Sequence, residues 1–273
     1  MSIKSILCAY SGDPAKGSGL RHALRLAQHH DAYLTGVAKM GGLAFLHRHF
    51  SAQVPESVRD QLEANGRKTL AEISDRFMAM ARAAELGDRA EFVELDPKTD
   101  GPIAAFARAF DLVVIGHHTG APYEDEYAAH PDLIALRSGR PVLIVPDRYD
   151  SATTSAGDVI VAWDGKRAAT RALVAAMPIL EDGARVTLLS VGTTPRNTSR
   201  LQQTIARHGV TVEALTVPQQ GSIATTLLSH ATDQNANLIL MGAFEHSKFS
   251  HDFIGGATTD ALNDTQIPLL MAH

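Results

Sequence analysis

The chain has 273 residues, which suits two domains of ordinary size or one large one, and its 45% hydrophobic content is globular. Its net charge of −5 comes without a basic run or aromatic–basic interleaving, which excludes nucleic acid as an expected partner. The single cysteine excludes an intrachain disulfide framework and fits a reducing cytoplasm, and no apolar stretch is long enough to span a bilayer.

The opening MSIKSILCAYSGD lacks a sustained apolar core and a small-residue cleavage site, so no secretory leader is expected. Residues 6–10 read as a first strand ending in Ser11-Gly12-Asp13, with Cys8 inside it as a small buried hydrophobe. An amphipathic helix follows over about 19–30, apolar at Leu20, Ala23, Leu24 and Ala27. Residues 33–38 are the second strand. Gly41-Gly42 and the LAFLHRHF run read as a short helix or a lid. A long helix is expected over about 56–85, apolar at Leu62, Leu70, Ile73, Phe77 and Met80. Then come a strand at 91–95, a helix at 102–110, a strand at 112–116, a helix at 132–138 and a strand at 142–145.

The plan then repeats. ILCAYSG at 6–12 aligns with VIVAWDG at 159–165, and Ala23-Leu24 with Ala172-Leu173. Gly101-Pro102-Ile103-Ala104 matches Gly221-Ser222-Ile223-Ala224. DLVVIG at 111–116 matches NLILMG at 237–242, and PVLIV at 141–145 matches PLLMA at 268–272. The order is kept, and the first copy carries extra residues around 40–65. A polar linker, DSATTSAG at 150–157, separates the copies. The expected domains are 1–149 and 157–273. Each alternates apolar strands with helices, so each should be an α/β unit with a doubly wound parallel sheet covered on both faces. Ligands of such sheets sit beyond the carboxyl ends of the strands, at the point where the winding reverses. That places Asp164-Gly165, after the first strand of the second copy, beside Gly242.

The stretch 238–265, LILMGAFEHSKFSHDFIGGATTDALNDT, has the form strand, polar loop, glycine pair, helix. Unpaired N–H groups at a helix start favour an anion, and glycine lets backbone approach a phosphate. It is neither a Walker sequence nor GxGxxG. Gly242, the nine residues from His246 to Ile254, and Gly255-Gly256-Ala257-Thr258 resemble the nucleotide loop of universal stress proteins. ATP-binding members carry glycine, two residues, glycine, nine residues, glycine, then serine or threonine. Two positions depart from this. Glu245 stands at the second glycine and Gly256 at the hydroxyl residue. A carboxylate beside a triphosphate is repulsive unless a cation neutralises it.

The resemblance covers nearly the whole chain and implies two tandem universal stress protein-like domains forming an intrachain pseudo-dimer. Strands 142–145 and 268–272 would pair between the copies, as the last strands of single-domain relatives do between subunits. It implies a cytoplasmic stress-response protein binding ATP or a related adenine nucleotide in the second copy. Apart from the resemblance, Asp164 and Glu245 are candidates to meet across the pocket and hold Mg²⁺ with phosphate. Trp163, Asp164 and Gly165 would lie at the nucleoside, with Asp164 either touching ribose or base or capping the following helix. Backbone near Val191 would meet adenine. Gly242, Ala243, Glu245, His246, Ser247, Lys248, Gly255, Gly256, Ala257 and Thr258 would surround the phosphates, Lys248 balancing Glu245 or meeting a phosphate. In the first copy Gly116 is followed by HHTGAPYEDEYAAHPD. Without a glycine pair, and with Glu124, Asp125 and Glu126 in the loop, that copy is expected not to bind a nucleotide.

The thirteen histidines include His29-His30, His47/His49 and His117-His118, but no HExxH or CxxC pattern, so no metal site is expected. No GxSxG elbow or Ser-His-Asp spacing marks a hydrolase. Two alternatives to nucleotide binding stay open: a slow ATPase or nucleotidyl-transfer enzyme, and a ligand-free interaction module. A further homodimer is also open.

Overall fold

Short runs rich in Val, Ile and Leu, closed by glycine or polar residues, become the strands, and the 3.6-residue apolar patterns between them become the covering helices. The computed structural model describes residues 2–12, 17–39, 55–96, 99–117, 129–147, 149, 157–243 and 265–273. The first half runs β1 (Ser5–Ala9), α1 (Ser18–His29), β2 (Tyr33–Lys39), α2 (Glu56–Ala83), β3 (Ala90–Leu95), α3 (Ile103–Phe106), β4 (Leu112–His117), α4 (Pro131–Ser138) and β5 (Val142–Pro146). The second runs β6 (Asp158–Ala162), α5 (Arg167–Leu180), β7 (Arg185–Val191), α6 (Thr198–Arg207), β8 (Thr211–Val217), α7 (Ile223–Asp233), β9 (Leu238–Gly242) and β10 (Leu269–Ala272).

The strands form one ten-stranded sheet in the order β3-β2-β1-β4-β5-β10-β9-β6-β7-β8. Each half is parallel throughout. The halves join where β5 and β10 run antiparallel, Leu269 opposite Ile144 and Met271 opposite Val142. The pairing expected between the two copies is therefore present. Every residue of both strands is buried, so the junction is a piece of apolar core.

The repeat extends to details that alignment does not name. Asp111 Oδ2 accepts from the Lys4 and Ser5 N–H groups at the start of β1, at 2.9 and 3.0 Å. Its counterpart Asn237 accepts through Oδ1 from Asp158 N–H at the start of β6, at 3.0 Å. Thr35 donates to Glu91 across β2–β3, and Thr187 to Glu213 across β7–β8, each at 3.0 Å.

Two sequence expectations need adjustment. The helix expected over 102–110 ends at Phe106 and tightens into a 3-10 turn over Ala107–Ala109, where Phe110 N–H reaches Ala107 O at 3.2 Å. The long helix α2 forms, but Leu62, assigned to its apolar face, is exposed, as is Val58. Burial begins at Leu70 and runs through Ile73, Phe77 and Ala81. The lid or helix at 40–53 lies outside the described residues.

Cys8 is fully buried in β1, and burial pushes its thiol up to about 12, which keeps it protonated and inert. Among the described residues, no helix is long and apolar enough to cross a membrane.

Candidate functional site

In each half the chain winds outward from a central strand and then returns to that strand's other side. In the second half β6 lies between β7 and β9, so winding reverses between β6 and β9. These strands are in parallel register, Val161 opposite Leu240, which brings their carboxyl ends together. Asp164 and Gly165 leave one end and Gly242 closes the other. The two segments singled out in the sequence thus flank the crevice where such sheets bind ligands.

The residues after β6 are held in distinct ways. Trp163 faces the core. It is 6% exposed, and its Nε1–H donates to Thr198 Oγ1 at 3.0 Å. Its indole is therefore no stacking surface for a base, and only its backbone stands at the strand end. Asp164 is half-exposed. Its Oδ1 accepts from Lys166 N–H at 2.9 Å, and Oδ2 lies 3.7 Å from Lys166 Nζ. This bond closes the turn that leads into α5, but Asp164 does not cap the helix, whose N-cap residue is Lys166 with no side-chain cap bond, and its carboxylate stays accessible. Gly165 takes φ +76°, which L side chains avoid, and a Cβ there would meet Pro195 Cβ at 2.7 Å.

Val191 ends β7 beyond the last residue of β6. Trp163 N–H donates to Leu189 O at 2.8 Å, so the backbone groups of Leu189 face β6. Alternation along a strand turns those of Val191 to the same side, past the end of β6 and into the gap. Gly192 N–H faces the other way, donating to Val217 O at 2.8 Å. Val191 thus offers backbone N–H and C=O at the crevice, the kind of contact assigned to it from the sequence.

Gly242 has a packing reason to be glycine. A Cβ there would lie 2.7 Å from both Ala168 Cβ and Ala169 N, in the first turn of α5. The same contact occurs in the first half with the partners exchanged. A Cβ on Gly19 of α1 would lie 2.3 Å from Gly116 N at the end of β4. Ala243 is buried and both its backbone groups have protein partners. Its N–H donates to Ala272 O at 2.9 Å, and its carbonyl accepts from His273 Nδ1 at 2.7 Å. Glu245, His246, Ser247, Lys248, Gly255, Gly256, Ala257 and Thr258 lie outside the described residues, as do Glu124, Asp125 and Glu126 of the first half.

The same point in the first half is built differently. Gly12, at φ +83°, meets Ile73 of α2, whose Cγ1 would lie 2.3 Å from an added Cβ, and Arg76 donates to Gly12 O. Lys39 stands in register where Val191 stands, and its Nζ donates to Asp100 O and Gly101 O at 3.2 and 3.0 Å. Among the described residues, no group of three or more His, Cys, Asp or Glu could hold a metal ion.

Sequence reasoning passed over the cations at this crevice. Lys166, Arg167 and Arg171 follow β6, and Arg196 and Arg200 follow β7. All are exposed. The signal available was the absence of any Asp or Glu from 165–171 and 192–202.

No protein-family model matches the chain. In sequence it is 25% identical over 171 residues to the universal stress protein Slr1230 of Synechocystis, a match covering 59% of this chain and 57% of that protein. The aligned part thus spans little more than half of the relative's length. A universal stress protein structure from Archaeoglobus fulgidus superposes with a TM-score of 0.70 at 14% identity, covering 98% of this chain and 96% of the other. A Pseudomonas aeruginosa structure assigned to the same family gives 0.58 at 16% identity, covering 99% and 93%. The chain carries the universal stress protein fold twice in tandem, and it is similar in sequence to a curated protein of that family.

Proposed function

We propose that the chain is a universal stress protein-like stress-response protein whose second half, residues 157–273, binds ATP or a related adenine nucleotide without a defined reaction. The first half, residues 1–149, serves as a partner domain. The observation that carries this reading is the placement of Asp164 and the Val191 backbone at the adjoining carboxyl ends of β6 and β7, next to the reversal point between β6 and β9. A half-exposed carboxylate accepts from ribose hydroxyls or base N–H groups, and a strand-end N–H and C=O pair matches the donor–acceptor edge of adenine. The loop at 244–258 would carry the phosphate contacts, which rests on its sequence resemblance alone. A cytoplasmic location also rests on the family resemblance.

The test is thermal or chemical unfolding with ATP. A ligand at a hundred times its dissociation constant raises stability by about 2.7 kcal/mol. Asp164→Asn keeps an oxygen for Lys166 N–H but removes the charge. It is expected to weaken ATP and adenosine alike, about tenfold, by loss of one charge-assisted hydrogen bond. Ser11→Ala, at the matching position of the first half, should leave binding unchanged. No stabilisation by millimolar ATP or adenosine would reject the reading in favour of a ligand-free interaction module.

A further inference from the structure

Of the cations at the second crevice, Lys166 turns back on Asp164 and Arg171 donates to His273 O at 2.7 Å, whereas Arg167, Arg196 and Arg200 hold no carboxylate among the described residues. Gly165 and Pro195 touch, so the segments opening α5 and α6 leave from one place. Arg167 follows Gly165 by two residues. Arg196 is adjacent to Pro195, and Arg200 lies one helical turn further. All three are exposed, and among the described residues none meets a carboxylate. Lys166 is already engaged with Asp164. In a chain of net charge −5, two adjoining segments with five cations and no carboxylate between them hold a concentrated positive field. A purely structural surface would be expected to mix signs, as α2 does with Glu63 against Arg67 at 2.7 Å.

We propose that Arg167, Arg196 and Arg200 form a cationic clamp at the mouth of the second-half site, selecting ligands by their number of phosphates. The inference rests on the nucleotide reading for the ligand's nucleoside end, but it makes its own claim about the anionic end. The charge that distinguishes a triphosphate from a monophosphate comes from the starts of α5 and α6. Guanidinium groups suit this task because they stay charged and grip phosphate oxygens in a bidentate manner.

The experiment compares adenosine, AMP, ATP and inorganic tripolyphosphate on the full chain and on an Arg167→Gln/Arg196→Gln variant, by calorimetry at two salt concentrations. Apo unfolding of the variant checks that these exposed changes leave the fold intact. The clamp predicts ATP binding tighter than AMP, with ATP affinity falling with salt. It also predicts a loss of about tenfold or more in ATP affinity in the variant, with adenosine unchanged. If adenosine and ATP bind alike, or the variant holds ATP as well as the parent does, the clamp is overturned and the nucleoside reading survives. If tripolyphosphate alone binds and the variant loses it, the clamp stands and the adenine reading falls. If nothing binds, both fall.

Discussion

The two halves wind their strands in the same order yet finish the carboxyl end differently. After β2 the first half inserts α2, a helix of 28 residues, about 42 Å long at 1.5 Å per residue. Ile73 and Arg76 of that helix close over Gly12, and Lys39 ties the end of β2 to the start of α3. After β7 the second half uses α6, of ten residues, and leaves Pro195 against Gly165 with arginines on either side. The amino ends of the strands are nearly the same in both halves, each bound by the residue before β4 or β9. A duplicated fold thus keeps the parts that hold the sheet together and diverges where a connection has length to spare.

The shared part is most sharply tested at the glycines between strand end and helix. Gly19→Val and Gly242→Val should each destabilise the protein by about 3 kcal/mol, because a Cβ in either place meets backbone that cannot move aside. Denaturant unfolding measures this, and a variant with the parental midpoint would show that the helix–strand approach is not a constraint of both halves.

The next largest effect separates the halves by pH. His22 of α1 packs against Tyr149 with ring centroids 6.1 Å apart, and Tyr149 Oη donates to Asn237 O of the second half at 3.2 Å. Burial, and then the Arg25 charge, lower the His22 imidazole from 6.5 to about 4. Above pH 6.5 the imidazole is neutral in both folded and unfolded chains and contributes no pH dependence. Between 6.5 and about 4 the unfolded chain binds a proton that the folded chain refuses, so stability falls as pH falls. The loss should reach 2 to 3 kcal/mol, about 1.4 kcal/mol per unit, and His22→Gln should abolish that portion of the slope. The second half has Arg171, exposed, at the matching position. Unchanged acid stability in His22→Gln would show that the ring is not held neutral.

A smaller difference is expected at the amino ends. Asp111 accepts two backbone N–H groups and Asn237 one, so Asp111→Ala should cost about 2 kcal/mol and Asn237→Ala about 1 kcal/mol in unfolding measurements. Equal costs would mean that the two caps are not the graded pair their bonds suggest.

Much of this fold was legible because its signals are periodic. The runs ILCAY and VIVAW, each followed by a polar residue and glycine, and the DLVVIG and NLILMG pair, mark equivalent strands, and the antiparallel seam follows from the resemblance. The site was less legible. The glycine at 242 looked like part of a ligand loop, but its lack of a side chain is accounted for by Ala168 and Ala169. The indole of Trp163 lies next to the site in sequence and away from it in space, because a strand turns successive residues to opposite faces. The segments that carry Arg167 and Arg196 are far apart in sequence and come together where Gly165 rests on Pro195. No periodicity carries that information.

The smallest expected effect concerns how the halves are joined outside the sheet. His29 at the end of α1 reaches Asp182 beyond the end of α5, Nε2 to Oδ2 at 2.8 Å. Both side chains are partly exposed, so solvent screens the pair, and Asp182→Asn should cost only about 0.5 kcal/mol in unfolding measurements. If Asp182→Asn instead cost several kcal/mol at every pH, the seam would depend on this pair far more than its exposure allows, and the apolar β5–β10 junction would not be what joins the halves.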